Sequence, residues 1–189
     1  MTKKEARKIF REKRRNISSS QKAKWDDLIL IQFQKLSLPF LEIVLSFLPI
    51  EKQNEVGTLN ITRYLQFLNP ELKVAYPMSD FTNCTMKAVV INDETEFVTN
   101  EYGIAEPVGN DILEPHQINF ILVPLLCFDK DGYRVGYGKG FYDKFLSRTN
   151  PNAIKAGLSY FEPIDKIADR DNFDVTLDFC ITPQAIYEF

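Results

Sequence analysis

Arg134, Lys139 and Asp143 stand on one short segment, interleaved with Gly136, Gly138 and Gly140. Glycine has no Cβ, so its backbone can approach a bulky anion and take up positive φ. Aromatic and apolar residues at helical spacing follow at once, and the free N–H groups and dipole at the start of such a helix attract phosphate. Two cations and a carboxylate on the same stretch complete the inventory of a nucleoside-triphosphate site. Arg134 and Lys139 would neutralise charge on a phosphoryl group, and Asp143 would serve a divalent ion. The spacing excludes two familiar loops. No Gly-Lys-Ser/Thr follows at the interval a Walker A loop needs, and Phe141 to Asp143 supply no third glycine for a dinucleotide fingerprint. A glycine-rich turn without any ligand is the competing reading of these residues alone.

The remaining chemistry is narrowed by what the chain lacks. It holds 1 histidine, His116, beside a proline, so a histidine metal cluster is excluded and a serine triad would hang on that residue without a GxSxG elbow. His116 is expected on the surface of a loop. Lys, Arg, carboxylates and backbone amides are left, an inventory that suits phosphoryl transfer, where positioning and charge neutralisation do most of the catalysis. Lys3, Arg7, Arg11 and Arg14 recur at helical spacing and share a face; a solvated charged face and an RNA-binding arm are both open readings. Asp129 and Asp131 with Gly132 read as a turn rather than a calcium loop.

Positioning these groups requires alternating strands and helices. Thr2 with Glu5 reads as a capping box for a first helix to about residue 15. Ser18 with Gln21 opens a second, whose Trp25, Ile29, Phe33 and Leu36 fall on one face. Ile43 to Phe47 is a short continuous apolar run, the mark of a strand covered on both faces. A helix from Thr58 ends near Asn69-Pro70, and Lys73–Tyr76, Met86–Ile91 and Phe120–Val123 read as strands. Asn100 to Gln117 reads as a polar, proline-bearing loop, the glycines lead into a helix over 140–148, and strands are expected near Ala153–Ser159 and Phe179–Thr182. The pattern argues a single-domain α/β layered fold over residues 1–189, with a mostly parallel central sheet flanked by helices. Glycine loops in such folds sit at strand C-termini, where ligands bind.

At 189 residues and 44% hydrophobic composition the chain can bury an ample core. A net charge of −3 argues against nucleic-acid binding across the whole surface, although residues 3–15 are strongly basic. No apolar run reaches the roughly 18 residues of a membrane span, and the basic start lacks the apolar stretch of a signal peptide. The 3 cysteines show no CxxC spacing, which points away from zinc and towards a reducing cytoplasm.

The string PLLCFDKDGYRVGYGKGFYDKFL resembles the signature of the 5-formyltetrahydrofolate cyclo-ligase (methenyltetrahydrofolate synthetase) family, approximately PG-aFD-xxG-xRLGxGxGYYDxxL. Pro124, Phe128, Asp129, Gly132, Arg134, the three glycines, Tyr142, Asp143 and Leu146 stand in register without a gap. Phe141 and Val135 are mild replacements, whereas Leu125 stands where the family carries glycine, so its turn is expected to differ. Lys3 to Arg7, the segment SFLPIEKQNEVGT, YGIAEP and FDVTLDFCITP are similar to further family elements in the same order. The resemblance implies an ATP- and Mg²⁺-dependent enzyme closing 5-formyltetrahydrofolate to the methenyl form. Lys3 and Arg7 would contact ATP phosphates together with Arg134, Gly136, Gly138, Lys139, Gly140 and Tyr142, with Arg134 and Lys139 catalytic. Arg11, Lys13, Arg14 and Arg15 would be left as solvated charges. Asp174 would join Asp143 at the metal. Leu48, Glu55, Phe141 and Tyr142 would form the folate pocket, with Glu55 on the pterin; Tyr137 is given no fixed role. The substrate is then a small molecule, 5-formyltetrahydrofolate with or without a polyglutamate tail, bound by a cytoplasmic monomer without nucleic acid or membrane. Two other classes share these residues: a kinase or ligase for another small molecule, and an RNA-binding or adaptor protein acting through residues 3–15.

Overall fold

The structure is a computed structural model that describes residues Met1–Phe189. Two helices open the chain, α1 (Lys3–Arg15) and α2 (Ser19–Phe33). Thr2 and Glu5 form the reciprocal capping box, and Ser18 accepts from the Gln21 amide; these side chains satisfy N–H groups that the helices cannot. Strand β1 (Ile43–Leu45) leads through α3 (Leu59–Leu68) to β2 (Lys73–Asp80) and β3 (Thr85–Val90). Then come β4 (Glu96–Thr99), β5 (Ala105–Val108), β6 (Ile112–Leu113) and β7 (Phe120–Val123). A short ribbon, β8 (Cys127–Phe128) with β9 (Arg134–Val135), carries the glycine loop into α4 (Phe141–Leu146). The chain continues through β10 (Ile154–Leu158), β11 (Phe179–Ile181) and β12 (Ile186–Glu188).

One 8-stranded sheet runs in the order β12-β11-β10-β7-β1-β2-β3-β6. Strands β11 to β2 are parallel, with antiparallel β12 at one edge and β3 and β6 at the other. Successive side chains on a strand point to opposite faces, and here both faces are buried. Val44, Phe120, Leu122 and Leu158 pack with Ile29 and Phe33 of α2 and Ile61 and Leu65 of α3. Leu45, Ile121, Val123 and Cys180 pack on the other side with Phe145 and Leu146 of α4. This two-sided burial explains the continuous apolar runs. From β1 the chain crosses through α3 to β2; from β7, beside β1, it crosses through α4 to β10 on the other side. Strands whose crossovers diverge leave a crevice outside their C-terminal ends.

The stretch from Asn100 to Gln117 is more ordered than a loop: it contains β5, β6 and a 3-10 turn at Pro115–Gln117. Strand β4 pairs with β5 as a separate two-stranded ribbon, Glu96 opposite Val108, and all its residues are exposed. An exposed strand has no apolar alternation to reveal it. His116 is exposed, and Asp129 accepts from the Asp131 and Tyr133 amides in the expected turn. Leu125 needs no left-handed backbone, since the positive-φ residues other than glycine are Asn54 and Cys84. Its side chain is 1% exposed and lies over Gly157, where an added Cβ would come within 2.6 Å of both Leu125 and Leu177. Room for the larger residue after β7 thus comes from a glycine on β10.

Candidate active site

A cavity of about 1030 Å³ opens at the C-terminal ends of β1 and β7, lined by Phe47 and Leu48 after the first and Pro124 after the second. Every residue nominated by the sequence lines it: Lys3, Arg7, Leu48, Glu55, Arg134, Gly136, Gly138, Lys139, Gly140, Phe141, Tyr142, Asp143 and Asp174. Residues more than 170 positions apart are therefore brought to one place, as Lys3 Nζ shows by bonding both oxygens of Asp174 at 2.7 and 2.6 Å with |i−j| of 171.

The glycine loop forms the cationic wall. Gly138 and Gly140 have φ of +96° and +74°, and a Cβ on Gly138 would lie 3.0 Å from the Arg7 guanidinium carbon. Such backbone is strained for any residue with a side chain. Gly136 is under neither constraint. Gly140 caps α4 with no side-chain acceptor, so the first-turn N–H groups keep their capacity for an anion. Lys139 is exposed and enters no ion pair, whereas Arg7 donates Nε to the Gly136 carbonyl at 3.0 Å. Arg134 is 8% exposed; it donates Nη2 to Asp143 Oδ1 at 2.8 Å and Nη1 to the Val175 carbonyl.

No group of three or more His, Cys, Asp or Glu is arranged to hold a metal. Asp143 uses Oδ1 for Arg134 and the Val175 amide and leaves Oδ2 without a protein donor; Asp174 has both oxygens on Lys3. Mg²⁺ on a nucleotide takes only one or two protein carboxylates beside phosphate and water. The all-oxygen donor set and the open Asp143 Oδ2 fit that mode.

Arg11 and Arg14 are not the solvated charges the sequence suggested. Arg14 is 3% exposed and donates Nη1 to the Tyr137 hydroxyl at 3.0 Å and Nη2 to the Leu125 carbonyl. Arg11 lies over the Tyr137 ring, 5.6 Å from its centroid. The physical reason is the docking of α1: Ala6 and Phe10 pack on Leu126, Cys127, Val135 and Ile167, which turns the neighbouring cationic stripe toward the cavity. Lys13 and Arg15 are exposed as expected.

Opposite the loop, Glu55 is 3% exposed and accepts from the Ile50 amide at 2.7 Å and the Tyr137 hydroxyl at 2.5 Å. Burial raises its pKa above the ordinary glutamate value, and the two donors only partly offset this. Asn54, in left-handed backbone, donates its amide group to the Arg14 and Ile17 carbonyls and ties this segment to the end of α1. The Tyr142 hydroxyl is buried without any partner, and burial, then the Glu55 charge, pushes its pKa up. An orphaned buried hydroxyl costs about 1–3 kcal/mol, which a bound group can relieve.

Sequence reasoning missed the aromatic rim. Phe81, at the tip of the β2–β3 hairpin, stacks on Tyr102 at 4.0 Å and 21° and meets Phe141 edge-on at 5.1 Å. Phe173 also lines the cavity and is 82% exposed. All three sit in connections, where no periodicity distinguishes a binding aromatic from a surface one. Tyr137 had one signal, its place between two glycines.

Fold and site together define an α/β enzyme that sets a cationic glycine loop against an aromatic pocket at the switch point of its sheet. Residues 1–183 match the 5-formyltetrahydrofolate cyclo-ligase family, and the chain belongs to that family. It is 30% identical over 189 residues to the 5-formyltetrahydrofolate cyclo-ligase of Mycoplasma pneumoniae, covering 97% of this chain and 100% of the relative. A solved 5,10-methenyltetrahydrofolate synthetase from Mycoplasma pneumoniae is similar with a TM-score of 0.76 at 28% identity, over 97% of this chain and 99% of that one. The NMR structure of the Aquifex aeolicus 5,10-methenyltetrahydrofolate synthetase gives 0.79 at 26% identity, over 100% and 93%.

Proposed function

We propose that this protein uses ATP to convert 5-formyltetrahydrofolate to 5,10-methenyltetrahydrofolate, releasing ADP and phosphate. The observation that carries this reading is that one cavity, in a chain of this family, joins the glycine loop to the buried carboxylate and aromatic rim. The formyl oxygen attacks the γ-phosphorus and ADP leaves. N10 then adds to the formyl carbon and loses its proton, and phosphate departs with the carbon–oxygen bond as the ring closes.

Lys139, unpaired at the loop, and Arg7 neutralise charge on the phosphates, with loop amides as further donors. Lys3 joins them on release from Asp174. Arg134 holds Asp143 in place, its guanidinium being committed to that carboxylate and to Val175. Mg²⁺ would be held by Asp143, with Asp174, and supplies further neutralisation of phosphate charge. Glu55 and the Tyr142 hydroxyl supply polar contacts to the pterin between Leu48, Phe141 and the Phe81–Tyr102 pair. No helix is long and apolar enough to cross a membrane; we place the enzyme in the cytoplasm, acting as a monomer because one chain completes the cavity.

Absorbance of the methenyltetrahydrofolate chromophore, with purified protein, MgATP and 5-formyltetrahydrofolate, tests the proposal. Growth of the band that depends on ATP is expected. A flat trace from folded protein that binds MgATP would overturn the folate assignment and leave a kinase or ligase for another small molecule.

A further inference from the structure

Tyr137 is the residue on which the two halves of the cavity meet. Its backbone lies between Gly136, whose carbonyl accepts from Arg7, and Gly138, which the Arg7 guanidinium overlies closely. Its ring carries the Arg11 guanidinium. Its hydroxyl accepts from Arg14 at 3.0 Å and donates to Glu55 Oε1 at 2.5 Å. Three arginines of α1, spaced i, i+4 and i+7 on one face, thus hold the glycine backbone flanking Tyr137, its ring and its hydroxyl.

The hydroxyl is also what Glu55 depends on. Oε2 has the Ile50 amide, but Oε1 has no hydrogen-bond donor other than Tyr137, Arg14 being 3.9 Å away. A shift of the glycine loop therefore moves the group that fixes the buried carboxylate, and a shift of the carboxylate pulls on the loop.

Resting on the folate reading above, we propose that Tyr137 is a positioning residue that couples the two ligands. Nucleotide phosphates that settle the loop and Arg7 also settle Tyr137, and Tyr137 settles Glu55 for the folate. Because coupling between sites is reciprocal, folate tightens nucleotide by the same factor.

Isothermal titration of 5-formyltetrahydrofolate, with and without a non-hydrolysable MgATP analogue, tests this on wild-type protein and Tyr137→Phe. The variant keeps the ring and its Arg11 contact and loses only the hydroxyl. In the wild type the analogue is expected to tighten formylfolate by about fivefold or more, the lower end of ordinary coupling. In Tyr137→Phe the nucleotide analogue alone binds within about threefold of wild type, formylfolate alone binds more weakly because Glu55 has lost a donor, and the coupling factor falls to nearly one. Arg14→Lys, which keeps the charge but not the planar reach to the hydroxyl, serves as a second variant expected to reduce coupling in the same direction. Full coupling in folded Tyr137→Phe, or independent binding of both ligands to the wild type, overturns the proposal and leaves the folate reading standing. Formylfolate that never binds the wild type overturns that reading, and this one with it.

Discussion

Lys139 carries its charge at the cavity without an acidic partner, so its loss is simple to interpret. Lys139→Ala should lower turnover by a factor on the order of a hundred or more, as expected for a group that stabilises transition-state charge, with thermal stability unchanged; steady-state kinetics and a melting curve check both. Arg134 is the contrast. It is buried against Asp143, whose carboxylate stays partly solvated, so Arg134→Ala should cost about 1–3 kcal/mol for the lost charge-assisted hydrogen bond, read in a denaturant melt. Glu55 adds a pH signature. Its folded-state pKa is raised, so its contribution to stability is complete below the unfolded-state value and is lost as pH rises through the raised one. Stability falls across that window by at most about 1.4 kcal/mol per pH unit. Glu55→Gln removes the slope, so the variant's melting temperature should gain on the wild type as pH climbs from acid toward neutrality; parallel curves would rule the linkage out. Residues were legible where chemistry sits in one string, as in 134–143. They were opaque where a role is conferred by a distant partner: nothing in the spelling of Arg14 says that it ends on Tyr137 and Leu125.

Among the elements, α1 shows how an amphipathic pattern can mislead. Its cations do share a face, as the spacing implies, but Ala6 and Phe10 anchor the helix so that this face meets the glycine loop instead of water. Strands β1 and β7 were legible because two-sided burial writes an unbroken apolar run. Strands β8, β9 and β12 are only two or three residues long and exist through pairing with partners elsewhere in the chain, so no local period could mark them. The packing of Leu125 on Gly157 makes a prediction at this scale. Gly157→Ala places a methyl 2.6 Å from Leu125 Cδ2 and should cost about 1–3 kcal/mol or more through overpacking. Leu125→Ala opens one side of that space, with Leu177 Cδ1 still 2.6 Å away on the other, so the double variant should be more stable than the sum of the singles by roughly 0.5 kcal/mol or more. Additive losses in denaturant melts would show that the contact is not the limiting one.

The molecule as a whole keeps two of its 3 thiols inside the core. Cys127 and Cys180 are buried in the core, and burial pushes the Cys127 thiol up to about 12 and Cys180 well above its ordinary value. Cys84, at the β2–β3 tip, is partly exposed. Native protein should therefore react with Ellman's reagent at Cys84 alone, and unfolded protein at all 3 cysteines; prompt modification of a second thiol would contradict the packing described. The helix that carries Lys3, Arg7, Arg11 and Arg14 is held mainly by residues from Leu125 to Asp174. During synthesis it emerges ahead of these partners, which lie 111 to 171 positions behind their contacts on the helix, an interval of roughly five to thirty-five seconds at ordinary elongation rates. A 13-residue helix is marginal on its own, so the nascent chain presents Phe10 unshielded to the cell throughout that time. A helix that lines the candidate site is thus open to chaperones and proteases until the segments that hold it have been made.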